Sequence, residues 1–196
     1  MIPSRRVVLC GSNGAGKTTL IEELSGEFGN LPILSEIART VFADLGLSRE
    51  EFVISLDSMD KELYRDFQWK ILKAQDQAET EMDEKYSAYL IDRGPDVFVF
   101  AEHYINLEES QKLVSSEHGQ RCLQRYKDSI IVLVGPLPKV DDDGVRIQLD
   151  SFQERLDFTD KFRSFFHRLQ IPFFDLDALS LRDRVHSVIQ YCKTTK

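Results

Sequence analysis

Residues 11–18 read Gly-Ser-Asn-Gly-Ala-Gly-Lys-Thr, the spacing GxxxxGK[ST], and no other feature constrains the fold so strongly. Glycines let the backbone curl around a phosphate without Cβ clashes, and the exposed N–H groups then form a nest for an anion. An apolar run at 7–10 precedes the motif and a helical pattern at 19–27 follows it, which is the context of a genuine phosphate-binding loop. We therefore predict that a nucleoside triphosphate binds Gly11, Ser12, Asn13, Gly14, Ala15, Gly16, Lys17, Thr18 and Thr19.

Two side chains of this loop carry specific chemistry. Lys17 is placed to reach the β- and γ-phosphate oxygens, and the Thr18 hydroxyl is placed to ligate Mg²⁺. A helix that starts near Gly16 adds the positive end of its dipole to the phosphate site. The chain has no Asn-Lys-x-Asp or Thr-Lys-x-Asp stretch for reading guanine, which favours ATP and leaves GTP open.

Five short apolar runs alternate with longer stretches rich in helix formers. Each run is apolar at both odd and even positions, as expected of strands that are covered on both faces of a parallel sheet. The runs occupy residues 7–10, 31–34, 89–91, 130–134 and 171–174. This pattern predicts an α/β fold built from repeated strand–helix units.

The longest predicted helix spans residues 57–85. Its apolar residues recur every three or four positions from Met59 to Met82, which indicates one buried stripe against the core. Charged residues lie off this stripe, and we expect them, Asp76 included, to face water.

The residues that follow two of the predicted strands are polar. In open α/β sheets, ligands bind beyond the carboxyl ends of the strands. Glu36 and Arg39 follow the second run and share one helix face, so they are candidate substrate-binding residues. The alternative is an ordinary helix start, in which Glu36 favours the helix dipole; the two roles are compatible.

An acid and an arginine directly follow the third run. Asp92 stands where phosphate-binding-loop proteins place a second Mg²⁺-associated carboxylate, and it is also a candidate acceptor for a hydroxyl proton. Arg93 is a candidate for binding the acceptor or the transferred phosphoryl group. Asp96 is either a further substrate contact or a plain acid in the first turn of a helix. Ion pairing alone is the alternative for all three residues.

The segment after the fourth run is rich in proline, aspartate and glycine, which predicts an irregular loop. We expect residues 139–155 to form a lid that brings Arg146 and Arg155 onto the phosphates. A solvated acidic turn with surface arginines is the alternative. After the fifth run, Asp177 lies on a turn that we expect to pass beside the nucleotide base.

Composition excludes several classes of protein. The chain of 196 residues suits one domain, residues 1–196. Its 25 Lys and Arg against 33 Asp and Glu give a formal net charge of -8, which argues against a nucleic-acid backbone as the main partner. The 3 cysteines are far apart, and no apolar run is long enough to span a bilayer, so we expect a cytoplasmic protein. Oligomeric state stays open.

The combined motifs resemble a known family. GSNGAGKTTL, SEIART, LIDRGPDVF and DDDGVR, followed by Arg155, are similar in order and spacing to the AAA-type ATPase and kinase-like P-loop family. That family includes a nicotinamide-riboside kinase domain and an insect photoreceptor channel-trafficking protein that binds nucleotide and phosphoinositide. The resemblance implies a three-layer P-loop fold with a five-stranded parallel sheet. It also implies that Asp92 and Arg93 lie beside an acceptor hydroxyl, with Arg146 and Arg155 in the lid.

Two functions remain in view. The first is a kinase that uses Mg²⁺ and ATP to phosphorylate a small nucleoside- or nucleotide-like acceptor. The second is a nucleotide-dependent switch or adaptor that engages a protein or a phosphoinositide, although the acidic composition counts against a broad membrane surface. A closed polar pocket near Glu36, Arg39, Asp92 and Arg93 favours the kinase, and an exposed flat face favours the switch. In either case we expect a positive pocket within an acidic protein.

Overall fold

The computed structural model describes residues 3–46, 61–138 and 151–195. The strands are β1 (Val7–Cys10), β2 (Ile33–Leu34), β3 (Leu90–Asp92), β4 (Ile130–Val134) and β5 (Phe174–Leu176). The helices are α1 (Lys17–Glu27), α2 (Ile37–Asp44), α3 (Lys61–Lys85), α4 (Asp96–Tyr104), α5 (Leu107–Ser115), α6 (Glu117–Lys127), α7 (Phe152–Leu169) and α8 (Leu181–Thr194).

The strands form one parallel sheet in the order β2-β3-β1-β4-β5. This confirms the predicted α/β fold and the five-stranded parallel sheet. Because β1 lies between β3 and β4, the phosphate-binding loop after β1 is flanked by the segments that follow those two strands. In the register of this sheet, Leu9 of β1 pairs with Asp92 of β3. The topology thus places Asp92 beside the phosphate-binding loop.

Successive strand residues point to opposite sides of the sheet. Because the residues on both sides are apolar, helices cover both faces. Val8 and Cys10 pack into a core cluster that includes four phenylalanines of α7, among them Phe162. Val7 and Leu9 pack on the other side against apolar residues of α1 and α8. The sheet is therefore the middle of three layers, as expected.

The end of α7 explains why β5 starts later than the predicted run at 171–174. Gln170 adopts a left-handed conformation, with φ 55°, and ends the helix. Ile171 then donates its N–H to the Phe166 carbonyl at 2.9 Å, and the Phe173 ring lies 5.1 Å from the Phe166 ring. These apolar residues cover the end of the helix, so the strand begins only at Phe174.

The expectation that Asp76 of α3 faces water is wrong. Asp76 is buried against α6, where Arg121 and Arg125 donate to its carboxylate at 2.6 and 2.8 Å. His118 Nδ1 lies 2.7 Å from the same carboxylate. Burial acts to raise the pKa of Asp76, but bonds from Arg121, His118 and Arg125 hold it well below its ordinary value. The apolar stripe could not show this second buried face, because the face is polar and its partners come from a distant helix.

Candidate functional site

The phosphate-binding loop folds tightly against the end of β4. Gly11 has φ +133°, and a Cβ there would lie 2.5 Å from the Val134 carbonyl oxygen. Gly16 has φ +78° and precedes the first residue of α1. Both positions need glycine, because L-residues rarely adopt these conformations. Thr19, which was predicted with the loop, lies exposed in the first turn of α1.

Lys17 is buried beneath this loop, with only 4% of its surface exposed. Its Nζ donates to the carbonyls of Gly11 and Ser12 at 2.9 and 2.8 Å. Burial, with a further contribution from the nearby charge of Arg93, lowers the pKa of Lys17 to about 8. In the described part of the chain, Nζ is hydrogen-bonded only to backbone carbonyls, and the charges of Asp96, Asp92 and Glu36 offset only part of the cost of burial. An anionic ligand is the further compensation that the loop geometry allows.

Thr18 and Asp92 meet beside Lys17. The Thr18 hydroxyl donates to Asp92 Oδ2 at 3.1 Å, and Asp92 Oδ1 is buried with no hydrogen-bond partner in the described part of the chain. A hydroxyl next to a carboxylate with a spare oxygen suits Mg²⁺, which usually takes one or two protein oxygens, substrate phosphates and water. The residues predicted for the metal therefore fit it.

Arg93 lies at the centre of a polar cluster. Its Nε is 2.9 Å from Glu36 Oε1 and its Nη1 is 3.1 Å from Asp96 Oδ1. Its Nη2 donates to Asn13 Oδ1 of the phosphate-binding loop at 2.7 Å. The backbone at Arg93 has φ 70°, a left-handed conformation that costs an arginine about 1–3 kcal/mol and persists only where surrounding contacts enforce it.

The pKa values of the two carboxylates of this cluster are shifted in opposite directions from their ordinary values. Burial acts to raise the pKa of Glu36, but Arg93 and Arg39 outweigh it and leave that pKa below its ordinary value. The pKa of Asp96 is raised, because its burial outweighs the favourable charges of Arg93 and Lys17. Burial thus dominates at Asp96, whereas the neighbouring arginines dominate at Glu36.

Glu36 also pairs with Arg39, whose Nε lies 2.9 Å from Glu36 Oε2. Arg39 and Arg93 therefore face Glu36 and Asp96, two cations against two anions. On this side of the site, two carboxylates therefore balance two of the predicted cations, and the positive pocket for the polyphosphate stays a prediction. The spacing along the chain is consistent with the local pairs Glu36–Arg39 and Arg93–Asp96. It could not show the Arg93–Glu36 pair, because that pair joins the ends of two different strands.

A cavity of about 400 Å³ opens beside this cluster. Asn13, Glu36, Arg39, Arg93 and Asp96 line its polar end, whereas Asp92 is not among the described residues that line it. The remaining walls are largely apolar and aromatic and include Ile37, Phe42, Tyr64, Phe67, Ile71 and Phe100. A concave site with apolar walls and a few convergent polar groups is typical of small-molecule binding.

The structure describes only part of the predicted lid. Arg146 and residues 139–150 lie outside the described residues. Arg155 is buried on α7, and its Nη2 donates to the Leu137 carbonyl at 3.3 Å. It therefore contacts the segment that follows β4. Asp177 is exposed after β5, with its Oδ1 3.7 Å from Arg163 Nη2.

Arg184 of α8 is a site-supporting residue that sequence reasoning missed. It is 2% exposed, and its guanidinium donates to backbone carbonyls of Ala15, Gly135 and Ala178. These carbonyls belong to the segments after β1, β4 and β5, so one side chain holds three loops together at the edge of the sheet. An arginine in a polar helix gives no sequence signal for this role.

Within residues 3–46, 61–138 and 151–195, no helix is both long enough and apolar enough to cross a membrane.

Comparisons with known proteins agree with this architecture. A family model described as an AAA domain matches residues 6–184. The structure of the NadR protein in complex with NR is similar, with a TM-score of 0.70 and 20% identity over 98% of this chain and 52% of that chain. This chain thus spans about half the length of that protein.

Two further solved structures are similar over nearly their whole length. Deoxyadenosine kinase from M. mycoides with bound dATP has a TM-score of 0.61 and 16% identity, over 96% of this chain and 100% of that chain. Shikimate kinase from Acinetobacter baumannii in complex with shikimate has a TM-score of 0.57 and 14% identity, over 100% and 96%. No curated protein matches the chain by sequence. Since the family model covers most of the chain, the protein belongs to this AAA domain family, with a kinase-like P-loop fold.

Proposed function

We propose that this protein is a small-molecule kinase, which transfers the γ-phosphoryl group of ATP to a nucleoside- or nucleotide-like acceptor with the help of Mg²⁺. GTP is a second possible donor. The observation that carries the proposal is the cavity, whose polar end is joined to the phosphate-binding loop by the hydrogen bond from Arg93 to Asn13. An acceptor in the cavity would thus lie next to the triphosphate, and such positioning supplies much of the catalysis of phosphoryl transfer.

The ligands of similar structures favour the same class of acceptor. The NadR protein was solved with NR and also with NAD and AMP-PNP, and deoxyadenosine kinase was solved with dATP. A cavity with aromatic walls suits a planar ring, and a polar end suits the hydroxyls of a sugar.

Individual residues receive roles from their positions. Lys17 and Arg93 would stabilise negative charge on the transferred group, together with the predicted lid residues Arg146 and Arg155. Glu36 and Asp96 line the cavity and would orient the acceptor hydroxyl and take its proton. Arg39 would help to hold Glu36 in place.

Thr18 and Asp92 would hold Mg²⁺, which when bound neutralises charge on the β- and γ-phosphates. Asp92 is the group that bonds to Thr18 and keeps a spare oxygen, so we place it on the metal side of the site. Asp177 would lie near the nucleotide base, at the end of β5.

The test is a panel of nucleosides, nucleotides and vitamins incubated with Mg-ATP or Mg-GTP and analysed by mass spectrometry. We expect one class of acceptor to gain a phosphoryl group, and Asp96→Asn to reduce its turnover far more than Asp66→Asn, an exposed control on α3. Nucleotide binding without any phosphorylated acceptor would contradict the kinase and support the nucleotide-dependent switch.

A further inference from the structure

Two glutamines of α3 line the cavity in addition to its charged residues. Gln68 and Gln75 are both 3% exposed. They are seven residues apart, close to two helical turns, and therefore share one face of the helix. Tyr64 and Phe67 line the same cavity from the same helix, so the two amides lie among aromatic walls.

The carbonyl oxygen of Gln68 is buried without a hydrogen-bond partner in the described part of the chain. Buried polar atoms in folded proteins nearly always have a partner, and an exception calls for a specific explanation. Because this side chain lines a cavity, a ligand that donates a hydrogen bond supplies that explanation.

The amide of Gln75 has its orientation set by Glu79, one turn further along α3. Gln75 Nε2 donates to Glu79 Oε1 at 2.6 Å, and the Tyr126 hydroxyl donates to the same oxygen at 2.8 Å. An ionised carboxylate only accepts hydrogen bonds, so the amino end of Gln75 must point to Glu79. The carbonyl end of Gln75 is then the end left for a ligand in the cavity that this residue lines.

Glu79 is fully buried, and charged or titratable groups face it from several elements. Burial raises the pKa of Glu79 to about 7, while bonds from Gln75 and Tyr126 and the charges of Arg125 and Arg6 act to lower it. Arg125 Nη1 is 3.7 Å from Glu79 Oε2. The titratable and charged groups around Glu79 are Asp76 and Asp83 on α3, Cys122, Arg125 and Tyr126 on α6, Tyr89 before β3 and Arg6 before β1.

Resting on the proposed kinase function, we propose that Gln68 and Gln75 recognise the planar head of the acceptor through its N–H donors, and that Glu79 is the positioning residue that fixes Gln75 for this purpose. The acceptor class is then a nucleoside whose ring carries an amino or carboxamide NH₂ group. An oxo group at the same place would bring a second hydrogen-bond-accepting oxygen against a glutamine carbonyl oxygen, so a nucleoside with an oxo group there is disfavoured.

Three probe nucleosides test the recognition: adenosine, purine riboside, which lacks the 6-amino group, and inosine, which has a 6-oxo group. We expect the wild type to prefer adenosine over the other two by about tenfold or more in kcat/KM and in binding without ATP, the effect of one good hydrogen bond. Gln68→Met should reduce the preference over purine riboside to about threefold or less. Equal binding of adenosine and purine riboside by the wild type would overturn the proposal.

Glu79→Gln tests the positioning role. A neutral amide at position 79 can donate to Gln75, which frees Gln75 to turn its amino end toward the cavity, so the preference for adenosine over inosine should fall to about threefold or reverse. The control is Glu81→Gln, because Gln77 donates to Glu81 at 2.8 Å with the same spacing on the exposed face of α3. An unchanged preference in Glu79→Gln would overturn the role of Glu79.

The wild type supplies a test that needs no substitution. Between pH 8 and pH 6 Glu79 takes up a proton, while both nucleosides stay largely neutral. The ratio of adenosine binding to inosine binding should therefore fall as the pH is lowered, and a constant ratio would count against the proposal. Lys17 also titrates in this range, but we expect it to contact the nucleotide that supplies the phosphoryl group. Its titration should therefore affect adenosine and inosine equally and cancel in the ratio of their binding. If these nucleosides bind with the expected preferences and none is phosphorylated, the kinase function fails while the recognition stands. If they are phosphorylated without such preferences, the recognition fails and the kinase stands.

Discussion

Replacing Lys17 by methionine tests how much stability the protein loses by keeping a buried ammonium group charged beneath the phosphate-binding loop. Lys17 is buried, and its pKa falls from the ordinary value of about 10.5 to about 8. At about 1.4 kcal/mol for each tenfold change in proton affinity, keeping this ammonium charged costs the ligand-free protein about 3 kcal/mol at pH 7. Methionine keeps much of the volume of the side chain and removes the charge.

The stability of the wild type should therefore depend on pH in a way that the variant does not share. Between pH 8 and pH 10.5 the unfolded chain binds a proton at Lys17 that the folded chain has lost, so the free energy of unfolding gains up to about 3 kcal/mol as pH rises. Below pH 8 the cost is fully present. In Lys17→Met this contribution is missing.

Urea unfolding at several pH values between 7 and 10.5 measures the difference. Lys73→Met, an exposed lysine of α3, is the matched control and should follow the wild type. Lys17→Met should also bind ATP about tenfold to a hundredfold more weakly, because it lacks the charged ammonium group that donates hydrogen bonds to the phosphates. If the free energy of unfolding changed with pH in the same way for the wild type and Lys17→Met, the inference that Lys17 carries a buried, poorly compensated charge would be refuted.

Four further substitutions follow from the geometry. Asp92→Asn should lower kcat about a hundredfold or more while the affinity for Mg-free nucleotide, measured by calorimetry, stays within about threefold; an equal loss of both would place its role in nucleotide binding. Arg184→Ala leaves three backbone carbonyls without their donor and should lower Tm by about 6–12 °C, for a loss of about 3 kcal/mol; a change below about 2 °C would contradict its bridging role. Gly94→Ala places a Cβ 3.1 Å from the Tyr126 ring and should destabilise by about 1–2 kcal/mol. Gly26→Ala, with nothing within 4 Å, should stabilise α1 by about 0.5–1 kcal/mol in the same urea assay, and the same sign for both glycines would contradict this difference in packing.

Local patterns in the chain were enough to predict the phosphate-binding loop. The GxxxxGK[ST] spacing specifies a short run of backbone conformations, and Gly11 and Gly16 do adopt the positive φ values that the loop needs. Apolar runs that lack alternation indicated buried parallel strands, and residues 7–10 and 130–134 are strands with those bounds. Asp92 was placed at the edge of the sheet by its position after an apolar run. These predictions succeed because the interactions behind them involve neighbours along the chain.

The sequence by itself determined the class of fold, the phosphate-binding loop and the edge of the sheet where candidate site residues gather. Only the tertiary structure decided how their charges combine, because two partners of Arg93, Glu36 and Asn13, follow other strands of the sheet. The same holds for Glu79 and Arg184, whose neighbours lie on other elements. A polar residue in a helix looks solvated in a one-dimensional pattern, and burial becomes favourable only when a distant segment supplies its hydrogen bonds. For that reason the cavity and its two glutamines could be found only in the folded chain.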